Sequence, residues 1–313
     1  MSAKKRKASS RRKSPRPSPQ FEHWVLLFQG RGRAVTLIAL SVVAFFGLWH
    51  AAWQEVGRGV LASEQYQITR EKVEIPPPPE WVHRDIRAEV FRDASLDGPL
   101  SLLDEDLVQR IANAFSLHPW VAEVRRVAKH FPARVEVELE YRRPVLMVPV
   151  LGGVRPVDAE GVLLPTSDFS PIEAGRYPRL AGVETDPIGL EGTPWGDIRV
   201  HESAEIAAAL GPAWQQLKLD YIIPATLVEL GHGNEYTYEL VTKGGSRILW
   251  GRAPSAEIPE EARAVDKVTR LVKYQEENGT LEGRDGPQRL DVRTPGSVRN
   301  TSRTAGKLNR ALD

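Results

Sequence analysis

The sequence predicts an α+β protein: an N-terminal transmembrane helix, then a small strand–helix–strand–strand module, then a mixed β-rich domain with flanking helices. Three observations predict it. Ala34 to Trp53 is a run of 20 residues without a formal charge. Arg134 to Tyr141 alternates apolar and acidic residues with a strict period of two, and beyond residue 144 short strand-like segments recur between turns. With 313 residues, 41% of them hydrophobic, the chain has material for about two domains of roughly 150 residues.

The first element is read from charge as much as from hydropathy. The whole chain carries a formal charge of +1, yet residues 1–33 hold ten Lys/Arg against one acid, Glu22. A 20-residue helix spans about 30 Å at about 1.5 Å per residue, the thickness of a bilayer's hydrocarbon core. Lys4, Lys5, Arg6, Lys7, Arg11, Arg12, Lys13 and Arg16, with Arg31 and Arg33 against the span, then place residues 1–33 in the cytoplasm as a basic disordered tail. Everything after residue 53 lies outside. His50, between Trp49 and Trp53, sits at the headgroup level. A cleaved signal peptide would need a shorter basic region and a better small-x-small site than His50-Ala51-Ala52. A buried globular helix would show a polar stripe, which this window lacks. The tail's Ser/Pro interleaving without aromatics marks a topology signal that also grips anionic lipid, not a nucleic-acid binder. Zero cysteines exclude disulfides, thiolate metal sites and thiol nucleophiles.

Residues 54–82 end in Pro76-Pro77-Pro78-Pro79, polyproline II geometry that reads as a stiff spacer, so the first module is expected over 83–143. Ile86, Ala88 and Val90 alternate with charged residues as in a half-buried strand. Ser101 with Asp104 makes a capping box for a helix carrying Leu103, Leu107, Val108, Ile111 and Phe115, stopped at His118-Pro119. Trp120–His130 and Arg134–Tyr141 follow as two strands separated by Phe131-Pro132-Ala133. Val135, Val137, Leu139 and Tyr141 take one face of the second strand, and Glu136, Glu138 and Glu140 the other. Across a hairpin those glutamates meet Arg125, Arg126 and Lys129, at ~0.2–1 kcal/mol per pair.

His118-Pro119-Trp120-Val121, Val124, Val127, the Phe131-Pro132 turn, Val135, Val137 and the exit Tyr141-Arg142-Arg143-Pro144-Val145 together resemble the POTRA domain of the FtsQ/DivIB family of bacterial cell division proteins. The layout of the rest of the chain is similar too: short basic tail, single span, spacer, POTRA-type βαββ module, then a β domain beginning at the Arg-Pro junction. One difference marks a divergent member. Ser95-Leu96-Asp97-Gly98-Pro99 replaces the family's usual glycine-asparagine after the first strand, with one convincing helix in the module instead of two.

The second domain is expected over 144–299. Val154–Val157 and Val162–Leu164 flank the turn Asp158-Ala159-Glu160-Gly161 as a hairpin. Tyr177–Gly182 resembles the family's P-x-L-x-G segment. Residues 203–219 read as two short helices broken by Gly211-Pro212. Ala225–Leu230, Tyr236–Thr242 and Arg247–Trp250 read as strands, the last two joined by Lys243-Gly244-Gly245-Ser246, and the run through Gly251 again echoes the family. A helix at about 260–276 presents Val265, Val268 and Val272, and Leu290-Asp291-Val292-Arg293 resembles a closing strand. Residues 300–313 read as a flexible tail.

No catalytic constellation emerges. The seven histidines (23, 50, 83, 118, 130, 201, 232) stand singly, without metal-ligand spacing. Ser10-Arg11-Arg12-Lys13 fits a Ser-x-x-Lys pattern without its companion motifs. Gly231-His232-Gly233-Asn234 reads as a hairpin turn and not a phosphate loop. The expectation is a protein with no cofactor, no metal and no small-molecule substrate.

The resemblance implies a non-catalytic, single-pass inner-membrane scaffold of septum assembly, its C-terminal domains periplasmic and its partners divisome membrane proteins of the FtsB and FtsL type. The physics of such binding is strand addition, in which an open sheet edge docks an extended partner segment. The family's edge maps onto Leu290–Arg299, where Leu290, Val292 and Val298 are the candidate apolar contacts and Arg293 and Arg299 the candidate charge partners. Leu290 and Val292 could equally face the core. The alternative function is an envelope-biogenesis or secretion adaptor using the edge of residues 121–141.

Overall fold

The computed structural model describes residues 31–61, 63–226, 236–284 and 286–301, in two units, Met1–Tyr66 and Gln67–Asp313. The Lys4–Arg16 basic cluster, the Gly231–Asn234 turn and the tail from 302 onward lie outside the described residues.

In the first unit Arg31–Leu61 forms one helix, α1. Its Arg33–Gly57 stretch of 25 residues is long and apolar enough to cross a membrane, about 37 Å at about 1.5 Å per residue. Leu37, Ile38, Val43, Phe46 and Leu48 are all exposed on it, an apolar surface with no protein cover. The helix outruns the expected 34–53 span, continuing through Gln54 and Glu55 to Leu61. Gln54 bonds back to the His50 ring one turn earlier (3.0 Å), which pairs the two polar side chains at this end of the span.

The second unit opens with β1 (Gln67–Ile68) and β2 (Val73–Glu74), then α2 (Ile86–Asp93), β3 (Leu100–Ser101), α3 (Leu107–Ser116), β4 (Val121–His130) and β5 (Arg134–Tyr141). β1 pairs with β3; β2, β5 and β4 form a three-stranded sheet in that order. Ile68, Val73, Phe91, Leu100, Phe115, Val121 and Val135, one from each of these elements, close one core with Trp120. The strand expected at Ile86–Val90 is helix. Asp85 caps it by accepting the Ala88 N–H (3.1 Å), and Ile86, Val90 and Phe91 bury one face at helical spacing. Over six residues Ile86 and Val90 fit either period, and the cap decides.

Two further expectations are corrected in this module. The stretch before His83 is not a bare spacer: Val73 is fully buried and paired with Val135, and the Tyr141 hydroxyl donates to the Pro76 carbonyl (2.7 Å). Ser101 and Asp104 do not cap α3. Asp104 accepts the Ser101 N–H (3.2 Å) and the Ser101 hydroxyl accepts the Leu103 N–H (3.2 Å), closing a turn that holds Leu103 exposed before the helix begins at Leu107. The β4–β5 hairpin follows the reading, with Val135 and Val137 buried and Arg126 on Glu138 at 3.1 Å, Arg125 on Glu140. Lys129 turns instead to the Leu102 and Asp104 carbonyls (3.0 and 2.6 Å), and His130 takes Glu136.

The rest of the chain builds an eight-stranded sheet from β6 (Leu146–Val150), β7 (Gly153–Val157), β8 (Arg179–Leu180), β9 (Leu219–Thr226), β10 (Tyr236–Thr242), β11 (Arg247–Gly251), β12 (Arg289–Asp291) and β13 (Arg299–Asn300). Its order is β13-β12-β11-β10-β9-β8-β6-β7. The helices are α4 (Pro171–Ala174), α5 (Ile198–Leu210), α6 (Ala213–Gln216) and α7 (Ala264–Asn278). β7 pairs along its length with β6, and Val162–Leu164 meets it only at the bridge Val157↔Leu163, with Val162 bridging Pro194 instead, so the expected hairpin is mainly β6–β7. Gly211, at φ +44°, separates α5 from α6 where the Gly-Pro break predicts it. The strand expected at 225–230 lies earlier, at 219–226, with 227–230 outside the described residues. On α7, Val268 and Val272 pack on the core while Val265 faces outward.

Candidate partner-binding surface

Four strands end the two larger sheets: β2, β4, β7 and β13. β4 carries exposed Arg125 and Arg126, charges of the kind that blunt an edge. β7 holds Pro156, which has no N–H, and the Pro156 carbonyl already accepts from the Leu164 N–H (2.9 Å). β13 closes the opposite end of the large sheet, where the sequence places its candidate contacts.

Leu290 and Val292 have no exposed surface. They belong to the core, so neither side chain is available to a partner. β12, which carries Leu290, is interior to the sheet: β11 runs parallel on one side and β13 antiparallel on the other. The polar stretch Thr294-Pro295-Gly296-Ser297 reverses the chain, with Gly296 at φ +118°, and brings Arg299 opposite Asp291. Arg270 of α7 holds this reversal, donating to the carbonyls of Val292 (2.8 Å) and Thr294 (2.7 Å).

The other three candidates gather at the edge. Val298 is half-buried and packs on the core beside the edge. Arg293 forks onto Asp291, Nε to Oδ1 at 3.0 Å and Nη2 to Oδ2 at 2.7 Å. Burial pushes the Asp291 carboxyl up, but the side-chain and backbone bonds from Arg293, with the charges of Arg293 and Arg299, outweigh it and hold the group below its usual range. Arg293 is therefore positioned, and Arg299 extends the positive charge along the same edge. Farther in, Glu239 of β10 joins Arg247 (3.1 Å) and Arg289 (2.6 Å), a row of charge running across the sheet toward β13.

What fixes the edge is a buried pair that the sequence reading missed. Glu261 Oε1 accepts from Lys267 Nζ (2.6 Å) and from the Arg252 N–H (2.8 Å), and Ala262 N–H donates to the Arg293 carbonyl (2.7 Å). Lys267 has no exposed surface and its ammonium lies 5.0 Å from the Trp250 ring centroid. Burial lowers its pKa against the opposing pull of Glu261. Gly251 makes room: at φ +91°, a Cβ there would stand 1.9 Å from Glu261 Oε1. The glycine after the Arg247–Trp250 strand was the one visible signal of this arrangement.

The junction of the two modules is equally specific. Asp168 is buried and accepts from the Trp120 indole (2.7 Å) and from Arg84 (3.1 Å), while its carbonyl meets the His83 ring (3.1 Å). Leu164, from the second module, is buried in the first module's core. Among the described residues no group of three or more His, Asp or Glu is placed to hold a metal ion.

No protein-family model matches the chain. The chain is similar to the cell division protein FtsQ of Anaeromyxobacter sp. (strain K), with 28% identity over 233 residues, covering 68% of this chain and 71% of that protein.

Proposed function

We propose that this chain, which belongs to the FtsQ family of cell division proteins, is a non-catalytic bitopic scaffold of the septum that docks divisome membrane proteins of the FtsB and FtsL type on the β13 edge. The observation that supports it is the position of β13: the terminal strand of an eight-stranded sheet, carrying Arg299 and flanked by the Arg293–Asp291 fork. An extended partner segment would add main-chain hydrogen bonds there, and the arginines would set its register. α1 is the anchor, and the basic residues before it orient the tail to the cytoplasm with the two modules in the periplasm. A fluorescent fusion in the host should gather at midcell before constriction, and depletion should give filaments. A fusion spread evenly around the envelope, with normal division on depletion, would overturn the reading.

A further inference from the structure

Arg142-Arg143-Pro144 leads from the first module into the second, and its two arginines have different fates. Arg142 is half-buried and bound to Asp158 (2.6 Å) and Glu160 (3.3 Å), so it belongs to the framework. Arg143 is exposed, lies over the Trp81 ring (6.0 Å to the centroid), and has no carboxylate within ion-pair distance among the described residues. Arg176 is also exposed and likewise unpaired there.

Both arginines line one cleft of about 540 Å³ at the module junction, with Trp81, Tyr177 and the prolines 144, 178 and 212. Glu140, Asp158 and Glu160 also line it, and the acids in and beside the cleft are engaged by other groups. Glu140 is held by Arg125, Asp158 and Glu160 by Arg142, and Glu173 by the capping box at Ser170. Arg143 and Arg176 are thus the cleft's guanidinium groups outside any ion pair among the described residues, with Glu173 close enough to Arg176 to feel its charge. Both act on the Tyr177 phenol, whose pKa burial raises most, Arg143 lowers, Glu173 raises and Arg176 lowers, so the two arginines and Glu173 lie about the same point.

We infer that this cleft binds an acidic peptide segment of a partner protein, its carboxylate side chain between Arg143 and Arg176 and its apolar neighbours against Trp81 and the prolines. A guanidinium fork matches a planar carboxylate, and an aromatic wall with a stacked arginine suits an extended chain. The prolines favour a peptide over free phosphate. An arginine pair takes a phosphate as well as a carboxylate, and the apolar walls of Trp81 and the three prolines are what suit a peptide. The cleft borders β6 and β8, at the other end of the sheet from β13, so the two surfaces can be occupied at once.

The test uses the full-length protein in nanodiscs and a peptide labelled at its N-terminus, fluoresceinyl-Ala-Val-Glu-Ile-Glu-Ala-amide, followed by anisotropy. Binding should fall at least tenfold in Arg143→Glu/Arg176→Glu and at least tenfold for the peptide with both glutamates replaced by glutamine. Melting should be unchanged, because both side chains are exposed. Val298→Pro should leave peptide affinity unchanged, which separates this site from the β13 edge. Equal binding by the Gln peptide, equal binding by the double variant, or no binding at 1 mM would overturn the proposal. So would full competition by 1 mM inorganic phosphate, which would assign the site to a free anion, or by phosphatidylglycerol vesicles, which would assign it to lipid.

Discussion

The indole N–H of Trp120 donates to the Asp168 carboxylate across 2.7 Å, joining the fully buried tryptophan of the first module to the short 3-10 turn Thr166–Asp168 of the second. Arg84 reaches the same carboxylate at 3.1 Å from the segment before α2. The junction is thus a charge-assisted network inside a packed interface, which makes its acceptor hard to replace.

Asp168→Ala should lower stability by about 1–3 kcal/mol, the cost of leaving a buried donor unsatisfied. Asp168→Asn keeps an acceptor for the indole and should lose less. Urea unfolding of the purified full-length protein, followed by tryptophan emission, distinguishes the two. Equal stability of wild type and Asp168→Ala would show that the bond adds nothing to the junction.

How much of this was legible depends on the kind of signal. The β4–β5 hairpin was, because eight residues of strict alternation admit only a strand, and so was the Gly211-Pro212 break. The α2 helix was not: Ile86 and Val90 satisfy both periods, and only the Asp85 cap separates them. At the candidate edge, local sequence marked Leu290 and Val292 as strand residues, but which strand is outermost depends on Arg299 returning to pair with Asp291. That is long-range information, as is the Trp120–Asp168 bond, whose partners are 48 residues apart.

The Glu261–Lys267 pair gives an asymmetric expectation. Glu261→Gln removes the charge partner of a lysine without exposed surface and should cost about 3–5 kcal/mol. Lys267→Met, paired with Glu261→Gln, fills the space beside Trp250 without a charge and should recover most of that loss. Thermal melting of the single and double variants checks it, and a double variant no better than Glu261→Gln would contradict it.

His118 makes stability depend on pH in a stated direction. Its Nδ1 accepts the Trp120 backbone N–H (3.2 Å) and its Nε2 meets Glu89 (3.3 Å), so the buried ring is held neutral. Burial lowers its pKa, against the opposing pull of Glu89. Below the unfolded value of about 6.5 the unfolded chain binds a proton that the folded chain refuses. The contribution is complete above that value and is lost as pH falls toward the folded pKa, with a slope approaching about 1.4 kcal/mol per pH unit. Urea midpoints from pH 7.5 to 5 should fall more steeply for wild type than for His118→Gln. Parallel curves would show that this ring does not titrate on unfolding.

The central claim is that β13 is a docking edge, and Val298→Pro tests it most directly. Leu290↔Asn300 and Asp291↔Arg299 are the register pairs, and Thr301 N–H donates to Arg289. By the alternation of an antiparallel ladder, the backbone of Val298 points away from β12. Proline there removes an outward donor while leaving the β12 pairing in place, as edge strands tolerate. The full-length Val298→Pro protein, purified from host membranes, should melt within a few degrees of wild type and fail to capture the host's FtsB-type protein. Capture at wild-type levels by a folded Val298→Pro protein would contradict the account.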